Sequence, residues 1–276
     1  MLGYVQIGLP FTIEFDINRT YYSSANHFSI RLYNLAENTR SKLRKDQISF
    51  QYSTINDFRL VMLSAGYGTS LTQILKGYIT RGFSVREGNN MITEVSGDDS
   101  GLAFANGVSD REYSANTSRD NIMQDLISTL PGTTKGCISS SVLVGDISRG
   151  NSYAGNTCDI LADMTGGAFF IDNGVVHVLG NNEVTDDPIL VINSNSGLLG
   201  TPTYENAVVH LEMLFEPTVK VGQQAVVQSL TEKRFNGYYK VISVRHRAMI
   251  SETIAGEAVT ELGLVNGSWN PVSRSL

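Results

Sequence analysis

Acid–base, nucleophilic and metal chemistry begin with carboxylates, histidines and thiols. Glu14 and Asp16 stand two apart in an alternating stretch, which puts both on one face of a strand. Carboxylates paired in that way can act as the acid and base of a cell-wall or capsule hydrolase. A solvated strand face is the plainer reading. Asp98-Asp99 fall in the turn Gly97-Asp98-Asp99-Ser100-Gly101, and Asp186-Asp187 precede Pro188; aspartate suits such turns for their geometry alone. The 4 histidines (His27, His177, His210, His246) are scattered singly through strand-like stretches, a structural pattern rather than a ligand set. Cys137 and Cys158 have no second pair for a zinc site and are too few for a disulfide scaffold, so buried free thiols in a reducing compartment are expected. No Gly-x-Ser-x-Gly elbow, phosphate loop or Gly-x-Gly-x-x-Gly turn occurs. Tyr21-Tyr22, Phe169-Phe170 and Tyr238-Tyr239 suggest a sugar-binding surface, but neighbours in a strand face opposite ways, so one of each pair belongs to a core. No catalytic residue, cofactor site or metal site follows from these patterns.

The elements that carry these residues are mostly strands. Phe11, Ile13, Phe15 and Ile17 share a face, as do Phe28, Ile30 and Leu32, and a period of two marks half-buried antiparallel strands. Asn34 is the expected N-cap of a short helix, with Glu37 three residues on and Arg40, Lys42, Arg44 and Lys45 at its end. This strand–hairpin–strand–helix unit is expected to return near the C-terminus. Phe58–Ala65, Ile74–Arg86 and Met91–Ser96 read as further strands.

From residue 108 the periodicity turns helical. Ile122, Leu126 and Leu130 recur at spacing four between Ser118 and Pro131-Gly132, and a second helix runs from Asn156 to about Thr165 with Ile160, Leu161 and Met164 inward. Asn173-Gly174 between two apolar runs predicts a type I′ hairpin. Ile189–Ile192, Ala207–Phe215, Ala225–Ser229, Tyr238–Arg245 and Ala258–Val265 are then strands. Gly197–Pro202 reads as a connector, Pro217–Gly222 as an extended edge, and Asn236-Gly237 as a hairpin turn. The chain is therefore mainly β (α+β): a β domain over 1–107, an α/β insertion over 108–186 and a second β domain over 187–276.

Over 276 residues the net charge is −6, which argues against a binder that works by neutralising phosphates. Charged residues make up only 17%, in keeping with surface buried between subunits. The first residues, MLGYVQIGLPF, lack the basic start and long apolar core of an export signal. No stretch has the eighteen or so apolar residues of a membrane span. A soluble protein made in a cytoplasm, with no membrane anchor, is the expectation.

The order of motifs is more telling than any one of them. The stretch FDINRT, turn YYSSAN, strand FSIRLYNL and helix AENTRSKL resembles the opening of the tail-hub proteins of contractile-tailed bacteriophages, through Arg19, Thr20, Ser23, Ser24, Asn26, Ile30, Leu32, Tyr33, Asn34 and Leu35. Gly77–Ser100 is similar to a later stretch of that family's first barrel, and residues 197–222 and 237–246 to its second. The resemblance implies two tail-tube-like antiparallel β-barrels and a homotrimer whose six barrels form a ring. That ring would match the hexameric tail tube above and the trimeric central spike below, among other baseplate proteins. It implies a virion protein assembled in the host cytoplasm, without cofactors or lytic activity, through whose channel DNA passes without specific binding. Glu14 and Asp16 are then candidates for the channel lining. Secretion-system spikes and contractile bacteriocins share such folds. A β-rich hydrolase and a receptor- or carbohydrate-binding tail component are the alternatives.

Overall fold

A computed structural model describes residues 4–45 and 59–274. In β1 (Ile13–Thr20) and β2 (His27–Tyr33), Ile13, Phe15, Ile17, Phe28, Ile30 and Leu32 turn inward as their alternation demands. Phe11 lies ahead of β1 and is exposed. Helix α1 (Glu37–Leu43) follows, but Ala36 rather than Asn34 holds its N-cap position. Asn34 instead leaves the strand at φ 56°. Its Oδ1 accepts from the Met91 N–H at 2.9 Å and its Nδ2 donates to Asn90 at 3.0 Å, so a cross-strand clasp has taken the capping side chain. Three strands complete a meander: β3 (Arg59–Tyr67), β4 (Ser70–Glu87) and β5 (Asn90–Asp98). Phe58, at the head of the expected third strand, is outside the described residues. The expected turn after Ser96 begins later, and its end winds into α2 (Gly101–Asn106).

The middle of the chain runs β6 (Val108–Tyr113), α3 (Arg119–Ser128), β7 (Thr134–Ile138), β8 (Asn151–Asn156), α4 (Thr157–Thr165), β9 (Phe169–Asp172), β10 (Val175–Val178) and β11 (Glu183–Thr185). Helix α3 buries Ile122, Met123, Leu126 and Ile127; Ser118 occupies its N-cap position without making the side-chain bond. Asn156 caps α4 fully, accepting from the Cys158 and Asp159 N–H groups, and Gly166 ends it in the left-handed region. Asn173 and Gly174 have φ of 53° and 76°, the signs a type I′ turn needs, between antiparallel β9 and β10. Leu126, Leu161, Phe169 and Val176 anchor the core of this region.

The remainder comprises β12 (Leu190–Asn193), β13 (Leu198–Glu205), β14 (Val208–Leu214), β15 (Gln224–Gln228), β16 (Gly237–Ile250), β17 (Ala258–Asn266) and β18 (Asn270–Val272). Most of the expected connector Gly197–Pro202 is strand β13, carried past Gly200 and Pro202 by an irregularity in its register. Pro217–Gly222 is not an edge: Val219 is buried between two turns and Val221 is buried in the second of them. Asn236-Gly237 does not make a tight turn. A longer loop joins β15 to β16, closed by Asn236 Oδ1 accepting from the Ser229 N–H at 2.6 Å. The helix of the first unit does not recur, since the described residues beyond Thr165 hold only short 3-10 turns.

Among the described residues, eleven strands form one sheet in the order β13-β14-β17-β16-β1-β2-β5-β4-β3, with β15 branching from β16 and β12 pairing with β15. The chain is mainly β, two tube-like antiparallel barrels with an α/β segment between them. Strand β16 belongs to both barrels: it pairs with β17 along its length, with β15 at its start and with β1 from Ser243 to Ile250. One core gathers Phe15, Phe28, Leu75 and Phe215; the other gathers Phe170, Val227, Val241 and Leu264. Each such side chain contributes about 1.5–3 kcal/mol of burial.

Candidate functional site

The outward face of the shared sheet is charged. Glu14 stands opposite Arg31 in register and accepts from the Tyr33 hydroxyl at 3.0 Å. Arg31 also meets Glu87 at 3.0 Å and Glu94 at 4.0 Å. Asp16 takes two bonds from Arg245, at 2.9 and 2.6 Å, which raise the guanidinium's already high pKa. Arg245 reaches Glu261 at 3.6 Å, and Arg247 reaches Glu261, Glu257 and Glu212 at 2.6, 3.1 and 3.9 Å. Seven carboxylates thus share three arginines, leaving an excess of four negative charges across both barrels. These groups are about 30% or more exposed, so their pairing orders the face more than it stabilises the fold. Two shallow depressions of about 510 and 580 Å³ lie on it, and the arginines lining them are all engaged by carboxylates.

Behind the β1–β2 turn lies a buried polar node. Arg19 continues the inward face of Ile13, Phe15 and Ile17 and is 2% exposed. Its guanidinium meets Asp172 at 3.3 and 3.4 Å, the Val219 carbonyl at 2.9 Å and His246 Nε2 at 2.9 Å. Burial and then the neighbouring Arg19 push the His246 pKa well down, so the ring is neutral, and its Nδ1 meets Thr260 at 3.0 Å. Along the turn, Tyr21 donates to the Leu179 carbonyl at 2.6 Å and Ser23 donates to that of Phe169. Asn26 donates to the Ile171 carbonyl and to Asp99, both at 3.0 Å. The turn residues that carry the family likeness are those that tie the first barrel to the middle of the chain.

Asp98 and Asp99 form no acid–base pair. Asp98 meets exposed His27 at 3.2 Å, whereas Asp99 is buried, accepting from Asn26, Ser100 and Asn173. Burial raises the Asp99 pKa to about 6 against the pull of those bonds. Asp186 and Asp187 bind Arg274 at 3.3 and 2.7 Å. Cys137 and Cys158 are free and buried, as expected. Glu14 and Asp16 do share a face, joined by Arg31 from the polar side of the second strand, but Arg245, Arg247, Glu257 and Glu261 were unforeseen there. Period two in Arg245-His246-Arg247 was the available signal; the pairing of β1 with β16 was not. Among the described residues, no three His, Cys, Asp or Glu side chains gather as metal ligands.

Residues 3–249 match the family model described as "Baseplate hub gp41". The chain belongs to the baseplate hub gp41 family. This hub has the fold of several solved proteins. A 43 kDa tail protein of prophage MuSo2 from Shewanella oneidensis shares 8% identity at TM-score 0.59, over 94% of the hub and 98% of that chain. The c3393 protein of E. coli, a type VI secretion component described as similar to T4 tail proteins gp27 and gp5, shares 10% at 0.60, over 97% and 77%. A tail protein of Neisseria meningitidis MC58 shares 10% at 0.58, over 91% of each chain. No curated protein matches the sequence. The hub is a structural protein of the bacteriophage tail and baseplate, and so a virion component. Among the described residues, no helix is long and apolar enough to cross a membrane.

Proposed function

We propose that three copies of the hub close into a ring of six barrels that joins the hexameric tail tube to a trimeric central spike. Residues 1–107 and 187–276 supply the two barrels of each copy, and 108–186 forms an insertion. The observation that carries this reading is the single sheet that holds both barrels side by side and presents one charged face across them. A subunit built in this way turns two barrels toward a common axis, so three copies give six. Among the described residues the sheet ends at β3 and β13, where Leu60, Met62 and Tyr204 are exposed. Such edges invite pairing with the next copy, and a head-to-tail contact of this kind closes a ring.

Glu14, Asp16 and their neighbours then line the channel, and their excess negative charge repels the phosphate backbone of passing DNA. The two free thiols suit assembly in the host cytoplasm. The role is architectural and non-lytic, since Glu14 and Asp16 are committed to arginine and tyrosine partners.

Electron microscopy of the purified protein and of whole tails tests this. From a chain of 30.1 kDa, a three-fold ring of about 90 kDa with six lobes around an open channel is expected. A monomer in isolation, together with no density for it at the end of the tube, refutes the proposal.

A further inference from the structure

Away from the charged face, a groove of about 680 Å³ opens in the middle of the chain, lined by Arg119, Leu143, Ile147, Arg149, Tyr153 and Met164 among others. Its two arginines stand apart from the rest. Other described arginines are engaged by carboxylates, by backbone carbonyls in the case of Arg59 and Arg86, or by the ring of Phe83 in the case of Arg81. Arg119 and Arg149 alone, among the described residues, have guanidinium groups without a partner in the chain. Both side chains are exposed, so in a protein of net charge −6 they are the two guanidinium groups left free to take an external anion.

The groove is held in shape. The loop before β8 is pinned to the start of α3 by Arg119 N–H to the Gly145 carbonyl (3.0 Å), Asn116 N–H to that of Ile147 (2.8 Å) and Ile147 N–H to that of Thr117 (3.0 Å). Tyr153 packs edge-on against Tyr113 at 5.8 Å, and Tyr113 donates to Asp125 at 2.7 Å. Leu143 and Ile147 are 7% and 8% exposed and make an apolar floor, while Val144 beside them is 76% exposed.

This lining selects the kind of ligand. A sugar phosphate or anionic glycan wants an open aromatic face and hydroxyl partners, but Tyr153 is already packed and the floor is aliphatic. We infer that the groove binds a segment of another baseplate polypeptide that carries two carboxylates flanking an apolar side chain. The apolar residue seats on Leu143, Ile147 and Met164, and the carboxylates take Arg119 and Arg149. The inference rests on the proposed place of the hub within the baseplate.

Charge complementarity is testable in assembled tails. Tails built with the hub variant R119K/R149K are treated with a water-soluble carbodiimide, which joins a lysine amine to a carboxylate in direct contact. Links from positions 119 and 149 to Asp or Glu residues flanking an apolar residue of a different baseplate chain are expected. R119E/R149E should fold and melt like the parent and form the same ring, yet bind that chain about a hundredfold more weakly or worse, with rescue by Lys at the linked carboxylates. Links only to other hub copies, no links, or R119E/R149E tails of unchanged composition and infectivity overturn the inference. A wild-type hub that forms no ring overturns the proposed function instead, so the two failures are distinct.

Discussion

Replacing Arg19 should be among the most damaging single changes in the molecule. Its guanidinium is 2% exposed and Asp172, its partner, is 5% exposed. In Arg19→Met the Asp172 carboxylate stays buried beside Asp99 without its cation, while the Val219 carbonyl and His246 Nε2 lose their bonds. Removing one partner of a buried ion pair costs about 3–5 kcal/mol. At about 2–4 °C per kcal/mol for a chain of this size, the melting temperature should fall by about 6–20 °C. The companion variant R19M/D172L removes both charges, so it should recover more than half of the loss. The assay is urea and thermal unfolding followed by circular dichroism, with the two single variants and the double forming a cycle. A fall of less than about 3 °C in R19M, or a double variant less stable than R19M, would refute the account of the node.

Acid should weaken the fold through two rings. Burial holds His177 at a pKa of about 4 and His246 well below its usual range. Unfolded histidines take up protons below about pH 6.5 that the folded ones refuse, so stability falls toward pH 4 by about 1.4 kcal/mol per unit per ring. Folded Asp99, with its pKa raised to about 6, takes its proton before the unfolded carboxyl does and offsets one of them, so a urea titration over pH 6–4.5 should show a net slope near one proton. Gly97→Ala would place a Cβ 2.0 Å from the Tyr78 carbonyl oxygen and 2.9 Å from the Phe28 ring. A loss of about 1–3 kcal/mol is expected on denaturant unfolding, and an unchanged midpoint would contradict the packing described. Burial raises Cys137 to about 11 and Cys158 to about 12. Neither thiol should react with Ellman's reagent in the native protein at pH 8, and both should react in urea; native labelling would show the burial to be wrong.

What the sequence discloses here is local. Alternation in Ile13–Ile17 and Phe28–Leu32 placed both strands and their inward faces, and Asn173-Gly174 gave its hairpin, because each signal lies within a few residues. Asn34 misled for the same reason: a good cap by type, it was claimed by Asn90 and Met91, distant in sequence and adjacent in the sheet. Arg19 shows the other limit. It extends an apolar stripe, and only the meeting of β1 with β9 and β16 explains an arginine there. The charged face was half legible, as Glu14, Asp16 and Arg31 of one hairpin, because Arg245 and Arg247 come from a strand whose register no short window contains. The groove of Arg119 and Arg149 was not legible, since it depends on which charges remain unpaired after folding.

The sharing of β16 has a consequence for synthesis. Asp16 and Arg245 bond diagonally across paired strands, yet lie 229 residues apart in the chain. At roughly 5–20 residues per second, a ribosome needs about 10–45 s to make the second after the first. For that time β1 has β2 on one side and an open backbone edge on the other, however complete the first barrel's own sequence. The nascent chain must be guarded or must wait, and a product that stops before β16 keeps that edge bare.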